Sequence, residues 1–124
     1  METPKKKILL AEDNAINQKV ALLLLQKYNQ TIHIADNGLM AVEKFKSQDY
    51  DLVLMDLHMP ELDGFEATMQ IREIEQAEQR EKKVKIFAMT ASSIHDESER
   101  CYAVGMDGYI SKPFSPAEVI AALQ

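Results

Sequence analysis

A single cysteine, Cys101, stands in 124 residues, which excludes a disulfide framework and fits a reducing compartment. No stretch approaches the roughly 20 consecutive apolar residues that cross a bilayer, and the N-terminus lacks the apolar core of a signal peptide. The expectation is a cytoplasmic domain without membrane insertion, either free or as the cytosolic part of a membrane-bound protein. Positive charge is also scarce. With 14 Lys and Arg against 20 Asp and Glu, the net charge is −6. Nucleic-acid binding relies on clustered Lys and Arg that release counterions, so no nucleic-acid partner is expected, and Lys5 to Lys7 read as a solvated edge. Repeats, low-complexity tracts and interior linkers are absent. The length suffices for one hydrophobic core and not two, so 1–124 is read as one domain.

What is present is an alternation of strand-like and helix-like segments. Ile8 to Ala11 reads as a buried strand, and Asn14 then caps a long amphipathic helix reaching about Tyr28. Thr31 to Ala35 is a shorter, more polar strand, expected at a sheet edge. Asn37-Gly38 turns into a second helix, with Leu39, Val42 and Phe45 at core spacing as far as Lys46. Tyr50 to Asp56 is the central strand, its apolar run Leu52 to Met55 having no polar alternation and so buried on both faces. A third helix follows Asp63-Gly64, with Ala67, Ile71 and Ile74 on one face, Phe65 and Met69 on a second, and a charged tail from Glu75 to Lys83. Val84 to Met89 is a fourth strand. Ser93 to Val104 reads as a fourth helix stopped by Gly105, and Tyr109-Ile110 as a fifth strand. Ser115 and Pro116 open a fifth helix, whose length of about ten residues fits a domain cut from something longer. Five strands alternating with five helices predict an α/β, doubly wound, mostly parallel sheet with helices on both faces.

In such sheets ligands sit outside the carboxyl ends of the strands. The residues predicted at that edge are Glu12 and Asp13, Asp56, Thr90 and Ala91, and Lys112. Three acids meeting in a partly desolvated site repel one another by roughly several kcal/mol. A divalent cation resolves the conflict; all-oxygen ligation without a Cys or His cluster suits a hard ion, Mg²⁺ in particular. Lys112, the Thr90 hydroxyl and the Ala91 N–H complete a cradle for one phosphoryl group. Asp56 is then the nucleophile, able to form an acyl phosphate. Glu12 and Asp13 are side-chain ligands of the metal, and the His58 carbonyl is placed to join them.

With AEDN at 11–14, LVLMDLHMPELDG at 52–64, MTAS at 89–92 and GMDGYISKPF at 105–114, the chain resembles the receiver domain of two-component signalling over nearly its whole length. The resemblance implies the flavodoxin-like order 2-1-3-4-5, phosphorylation of Asp56, Mg²⁺ held by Glu12, Asp13, Asp56 and the His58 carbonyl, and phosphoryl contacts from Thr90 and Lys112. It also implies a cis peptide before Pro113 and a rotamer switch at Tyr109 that accompanies Thr90. His58 and Ser92, each two residues past a cradle residue, are expected to tune the lifetime of the acyl phosphate. Glu12 stands where many receivers have Asp, which keeps the charge. The run Glu12 to Val20, with Cys101 to Gly105, is most similar to the receivers of hybrid sensor histidine kinases, whose partners are a histidine kinase or a histidine-phosphotransfer domain. On a wheel of about 3.6 residues per turn, Ala21, Leu24, Leu25 and Tyr28 form the core arc of the first helix. Ile16, Lys19, Val20 and Leu23 then form or border an outer face suited to a helical partner. Such a domain catalyses only its own phosphorylation and dephosphorylation and is not otherwise an enzyme. Two alternatives stay open: a degenerate receiver acting as an unphosphorylated scaffold, and a haloacid-dehalogenase-like phosphohydrolase. The second wants another acid two residues after the nucleophile, where this chain has His58. The remaining histidines, His33 and His95, are expected on solvated surface, and the seven methionines as core filler.

Overall fold

The computed structural model describes residues 6–26, 30–90, 98–111, 117–118 and 121, the side chains of 90 and 111 excepted. In chain order the elements are β1 (Lys7–Ala11), α1 (Ala15–Gln26), β2 (Thr31–Ala35), α2 (Gly38–Ser47), β3 (Leu52–Asp56), α3 (Gly64–Ala77), β4 (Lys85–Thr90), α4 (Ser98–Ala103) and β5 (Gly108–Ser111). The strands form one sheet in the order β2-β1-β3-β4-β5, and every pairing is parallel. Four helices lie among the described residues. The expected fifth is described only at 117, 118 and 121, where the backbone is helical; Tyr28, Ser93, Ser115 and Pro116 fall outside the described residues, as does the peptide before Pro113.

Side chains alternate across a strand, and both faces of this sheet are covered. Leu9, Ala11, Val53 and Met55 point to one side, where α2, α3 and α4 contribute Phe45, Ile71 and Cys101 to a large core. Ile8, Leu10, Leu52 and Leu54 point to the other, against Ala21 and Leu25 of α1. Each such Leu or Ile, fully withdrawn from water, contributes about 1.5–3 kcal/mol. β2 is half-buried for most of its length, as an edge strand paired with β1 alone should be.

Several local expectations are corrected. β3 begins at Leu52 and not at Tyr50: the Asp51 N–H still donates to the Lys7 carbonyl, but the Lys7 N–H goes to the Asp51 side chain, at Oδ2. Leu39 is exposed, since the buried arc of α2 runs through Gly38, Ala41, Val42 and Phe45. Leu24 in α1 is only half-buried, beside the fully buried Ala21 and Leu25. In α3, Phe65 is core while Met69, expected beside it and counted as filler, is about half exposed. His33 is not simply solvated. Its Nδ1 stands 2.8 Å from the Tyr50 hydroxyl with the rings edge-on, and partial burial with Lys7 and Lys44 nearby holds its pKa below the ordinary histidine value.

Glu75 is the largest departure, because it is not the start of a solvated tail. It is buried within α3, where Oε1 accepts from Arg72 Nη1 at 2.7 Å and Oε2 accepts the Val84 N–H at 2.7 Å. The same guanidinium donates to the Gly105 carbonyl, the Val84 carbonyl and Asp107 Oδ2. Asp107 Oδ2 in turn accepts the Ile86 N–H. A buried charge is tolerable when it is paired and its remaining lone pairs are hydrogen-bonded, and both conditions hold here.

α3 ends in a Schellman motif: the Arg80 N–H donates to the Glu75 carbonyl and the Gln79 N–H to the Gln76 carbonyl. Gln79 therefore occupies the left-handed region, with φ of 53°. A side chain there costs about 1–2 kcal/mol, against which glycine loses about 0.5–1 kcal/mol more backbone entropy. Gln79→Gly is expected to stabilise the fold by roughly 0.5–1 kcal/mol, read as a higher urea midpoint at unchanged slope.

Candidate functional site

β1 and β3 are neighbours, with Ala11 opposite Met55, so the next residue on each, Glu12 and Asp56, meet at the carboxyl edge of the sheet. Glu12 continues the alternation of Ile8 and Leu10, and Asp56 that of Leu52 and Leu54. Both carboxylates therefore emerge on the side of the sheet that α1 covers. The Glu12 N–H still donates to Ala35, at 3.0 Å, which extends the β1–β2 pairing one residue and holds the acid in place. Glu12 and Asp56 are both nearly buried, whereas Asp13, one step further, is exposed.

One oxygen from each of Glu12, Asp13 and Asp56 lies within 4.8 Å of the others. At that separation two buried carboxylates repel by about 3 kcal/mol at an effective dielectric near 20. Ligand oxygens at about 2.1 Å from one octahedral Mg²⁺ stand about 3 Å apart when adjacent, so side chains whose oxygens lie within 4.8 Å of one another need to close by no more than about 2 Å. An all-oxygen set of acids is the donor chemistry a hard divalent ion takes, and the residues fit it.

The segment after β3 is tied to the acid. The His58 N–H donates to Asp56 Oδ1 at 3.3 Å, a turn in which the side chain of one residue holds the backbone two residues on. His58 itself is exposed, and its backbone N–H meets the acid. Asp63 caps α3 by accepting the Glu66 N–H at 2.9 Å. Gly64 donates its N–H to the Leu57 carbonyl, and a Cβ there would strike the Asp56 carbonyl oxygen and Leu57 Cα. Glycine is thus what lets α3 start directly beneath the acid. Asn14 caps α1 as expected, its Oδ1 accepting the N–H groups of Ile16 and Asn17, while its own N–H donates to Glu12 Oε2.

The other expected residues divide in two. Asp56 lies opposite Met89, so Thr90, the last residue of β4, stands one residue further along the same rim. Its side chain, together with Ala91, Ser92 and Lys112, falls outside the described residues. Tyr109 is in β5 and 41% exposed. On α1, Ile16 is 73%, Leu23 56% and Val20 43% exposed, with Lys19 exposed among them. Sequence reasoning missed Gln18, whose amide nitrogen donates to both the Glu12 carbonyl and Asp36 Oδ1. No local pattern marks such a residue, because its partners come from β1 and from the end of β2.

A doubly wound parallel sheet with an acidic trio at the ends of β1 and β3 defines the class of protein. Residues 8–124 match the response regulator receiver domain, and the chain belongs to that family. It is 40% identical to histidine kinase 5 of Arabidopsis thaliana over 99% of this chain, but over 16% of that protein. It is 46% identical to the hybrid signal transduction protein dokA of Dictyostelium discoideum over 89% of this chain and 6% of the relative. The chain thus spans about a sixth or less of the length of these curated relatives. Among solved structures, the receiver domain of a Pseudomonas aeruginosa sensor histidine kinase, with magnesium in its active-site cleft, superposes with a TM-score of 0.84. It is 37% identical, covering 98% of this chain and 96% of the other. A chain from the co-crystal of the Saccharomyces cerevisiae histidine phosphotransfer protein Ypd1 with the receiver domain of Ssk1 gives a TM-score of 0.87. There the identity is 33%, covering 96% of this chain and 86% of that one. The chain is a receiver domain of the hybrid histidine kinase type, a module of phosphorelay signalling.

Gly64→Ala is expected to destabilise the domain by about 1–3 kcal/mol, the range for overpacking. Because the displaced atom is the backbone oxygen of Asp56, the rate of labelling by a small phosphodonor should fall as well. Urea denaturation and a labelling time course check the two effects separately.

Proposed function

We propose that Asp56 accepts a phosphoryl group from a phosphohistidine. The observation that carries this reading is the acidic trio at the ends of β1 and β3, in a chain similar to receivers along its whole length. An Asp56 oxygen attacks phosphorus, the P–O bond forms as the P–N bond to the donor imidazole breaks, and the leaving nitrogen takes up a proton. Glu12, Asp13, Asp56 and the His58 carbonyl would hold a Mg²⁺ ion, which would supply positive charge against the negative charge that builds up during transfer. The His58 N–H on Asp56 Oδ1 orients the carboxylate. Lys112 meets one phosphoryl oxygen as a point charge, and the Thr90 hydroxyl and Ala91 N–H meet another. His58 and Ser92 tune the access of water to the acyl phosphate.

In this reading the output is a shift between two populations. Thr90 moves toward the phosphoryl group and Tyr109 turns inward from its exposed position, remodelling the surface around α4 and β5. The domain performs only its own phosphorylation and dephosphorylation and turns over no separate substrate. Its partners are a histidine-phosphotransfer domain or the kinase's own histidine. Support comes from the yeast complex, in which a phosphotransfer protein is bound to a receiver, and from the exposed Ile16, Val20 and Leu23 of α1. A cytoplasmic setting, within a hybrid kinase or alone, belongs to the same proposal. Among the described residues no helix is long and apolar enough to cross a membrane.

Incubation with acetyl phosphate and Mg²⁺ should add the mass of one phosphoryl group to the native chain and nothing to Asp56→Asn. Equal labelling of both, or of neither, would refute the assignment; sustained hydrolysis of a generic phosphate ester would point instead to a phosphohydrolase. Docking is tested apart from chemistry. Ile16→Ala and Leu23→Ala should each slow transfer from a phosphorylated phosphotransfer protein by about tenfold, as loss of a central apolar contact does, while labelling by acetyl phosphate stays unchanged.

A further inference from the structure

Gln18 lies in the first turns of α1, and its side chain reaches away from that helix to two acceptors. Nε2 stands 2.6 Å from the Glu12 carbonyl oxygen and 3.0 Å from Asp36 Oδ1. Since both partners only accept, the atom between them is the amide nitrogen, and its two protons are both used. Asp36 follows Ala35, whose carbonyl accepts the Glu12 N–H. One amide therefore stitches the ends of β1 and β2 to α1.

The carbonyl that Gln18 grips belongs to the peptide unit between Glu12 and Asp13. That unit is planar, so fixing the direction of its C=O fixes ψ of Glu12 and φ of Asp13 together. Those two torsions set how the carboxylates of Glu12 and Asp13 stand relative to each other. Glu12 Oε2 is separately held by the Asn14 N–H at 3.1 Å, and Asn14 opens the helix that carries Gln18. We infer that Gln18, braced by Asp36, is a positioning residue for the metal site, holding the Glu12–Asp13 peptide in the orientation that lets both acids reach one divalent cation. The inference rests on the metal reading proposed above. It also makes α1, which presents Ile16, Val20 and Leu23 outward, mechanically continuous with the metal ligands.

The test is isothermal titration of the chain with Mg²⁺ alone, without phosphodonor, beside urea denaturation of each variant. Gln18→Leu keeps the bulk and removes both bonds; groups that orient metal ligands typically matter by 10–100-fold in affinity, so the dissociation constant should rise about tenfold or more. A merely structural role would lower the urea midpoint and leave the Mg²⁺ affinity of the folded protein intact, and a constant within about twofold of the native value would overturn the inference. A second pair at equal charge removes any dependence on how Gln18→Leu folds. Asp36→Asn retains an acceptor for the amide and Asp36→Leu does not, so Mg²⁺ should bind more weakly to the latter; equal affinities would again overturn it. Failure of the native chain to bind Mg²⁺ would overturn the metal reading and this inference together, whereas native binding that no variant alters overturns this inference alone.

Discussion

Parallel register places acids where water cannot easily separate them, and the rest of the site answers that constraint. Ala11 opposite Met55 leaves Glu12 and Asp56 side by side at the sheet edge, on the same face and largely withdrawn from solvent. Each neighbouring feature can be read as holding this unfavourable arrangement together. Donors from Asn14 and His58 grip individual carboxylate oxygens, and Gly64 admits the start of α3 under Asp56. Because strand register brings the ends of β1 and β3 side by side, Glu12 and Asp56 are neighbours before any ion or donor arrives.

Much of this was legible in the residues. The unbroken apolar run before Asp56 announces a strand buried on both faces, and all five residues of β3 are buried. Asn14 could be read as a cap because capping depends on a few adjacent residues, and its side chain accepts the N–H groups expected of it. Interactions whose partners are far apart in sequence were opaque. Glu75 looks like any solvated glutamate until Val84 and Arg72 are known to sit against it. His33 and Tyr50 are 17 residues apart and meet only because β2 lies along β1. Leu39 and Met69 satisfied apolar spacing yet are exposed, since periodicity identifies an arc without saying which edge of it the sheet covers.

Arg72 gives the opposite side of the sheet its own tie. One guanidinium joins α3, the approach to β4 and the turn between α4 and β5. The rigid fork of an arginine suits this work, because several donors are fixed relative to one another and little side-chain freedom is lost per bond. β4 and β5, whose ends carry Thr90 and lead toward 112, thus inherit their placement partly from α3.

Among the described residues, α1 anchors itself with just two fully buried side chains, Ala21 and Leu25, where α3 buries six residues. Local opening follows the density of buried contacts, so α1 should open at a lower free energy than α3, and its amides should exchange with solvent before those of β3. The helix whose outer face is proposed to meet a partner is therefore more readily loosened than α3. A bound partner would remove that looseness, so protection from exchange would spread from the helix inward to the strand end that carries Glu12.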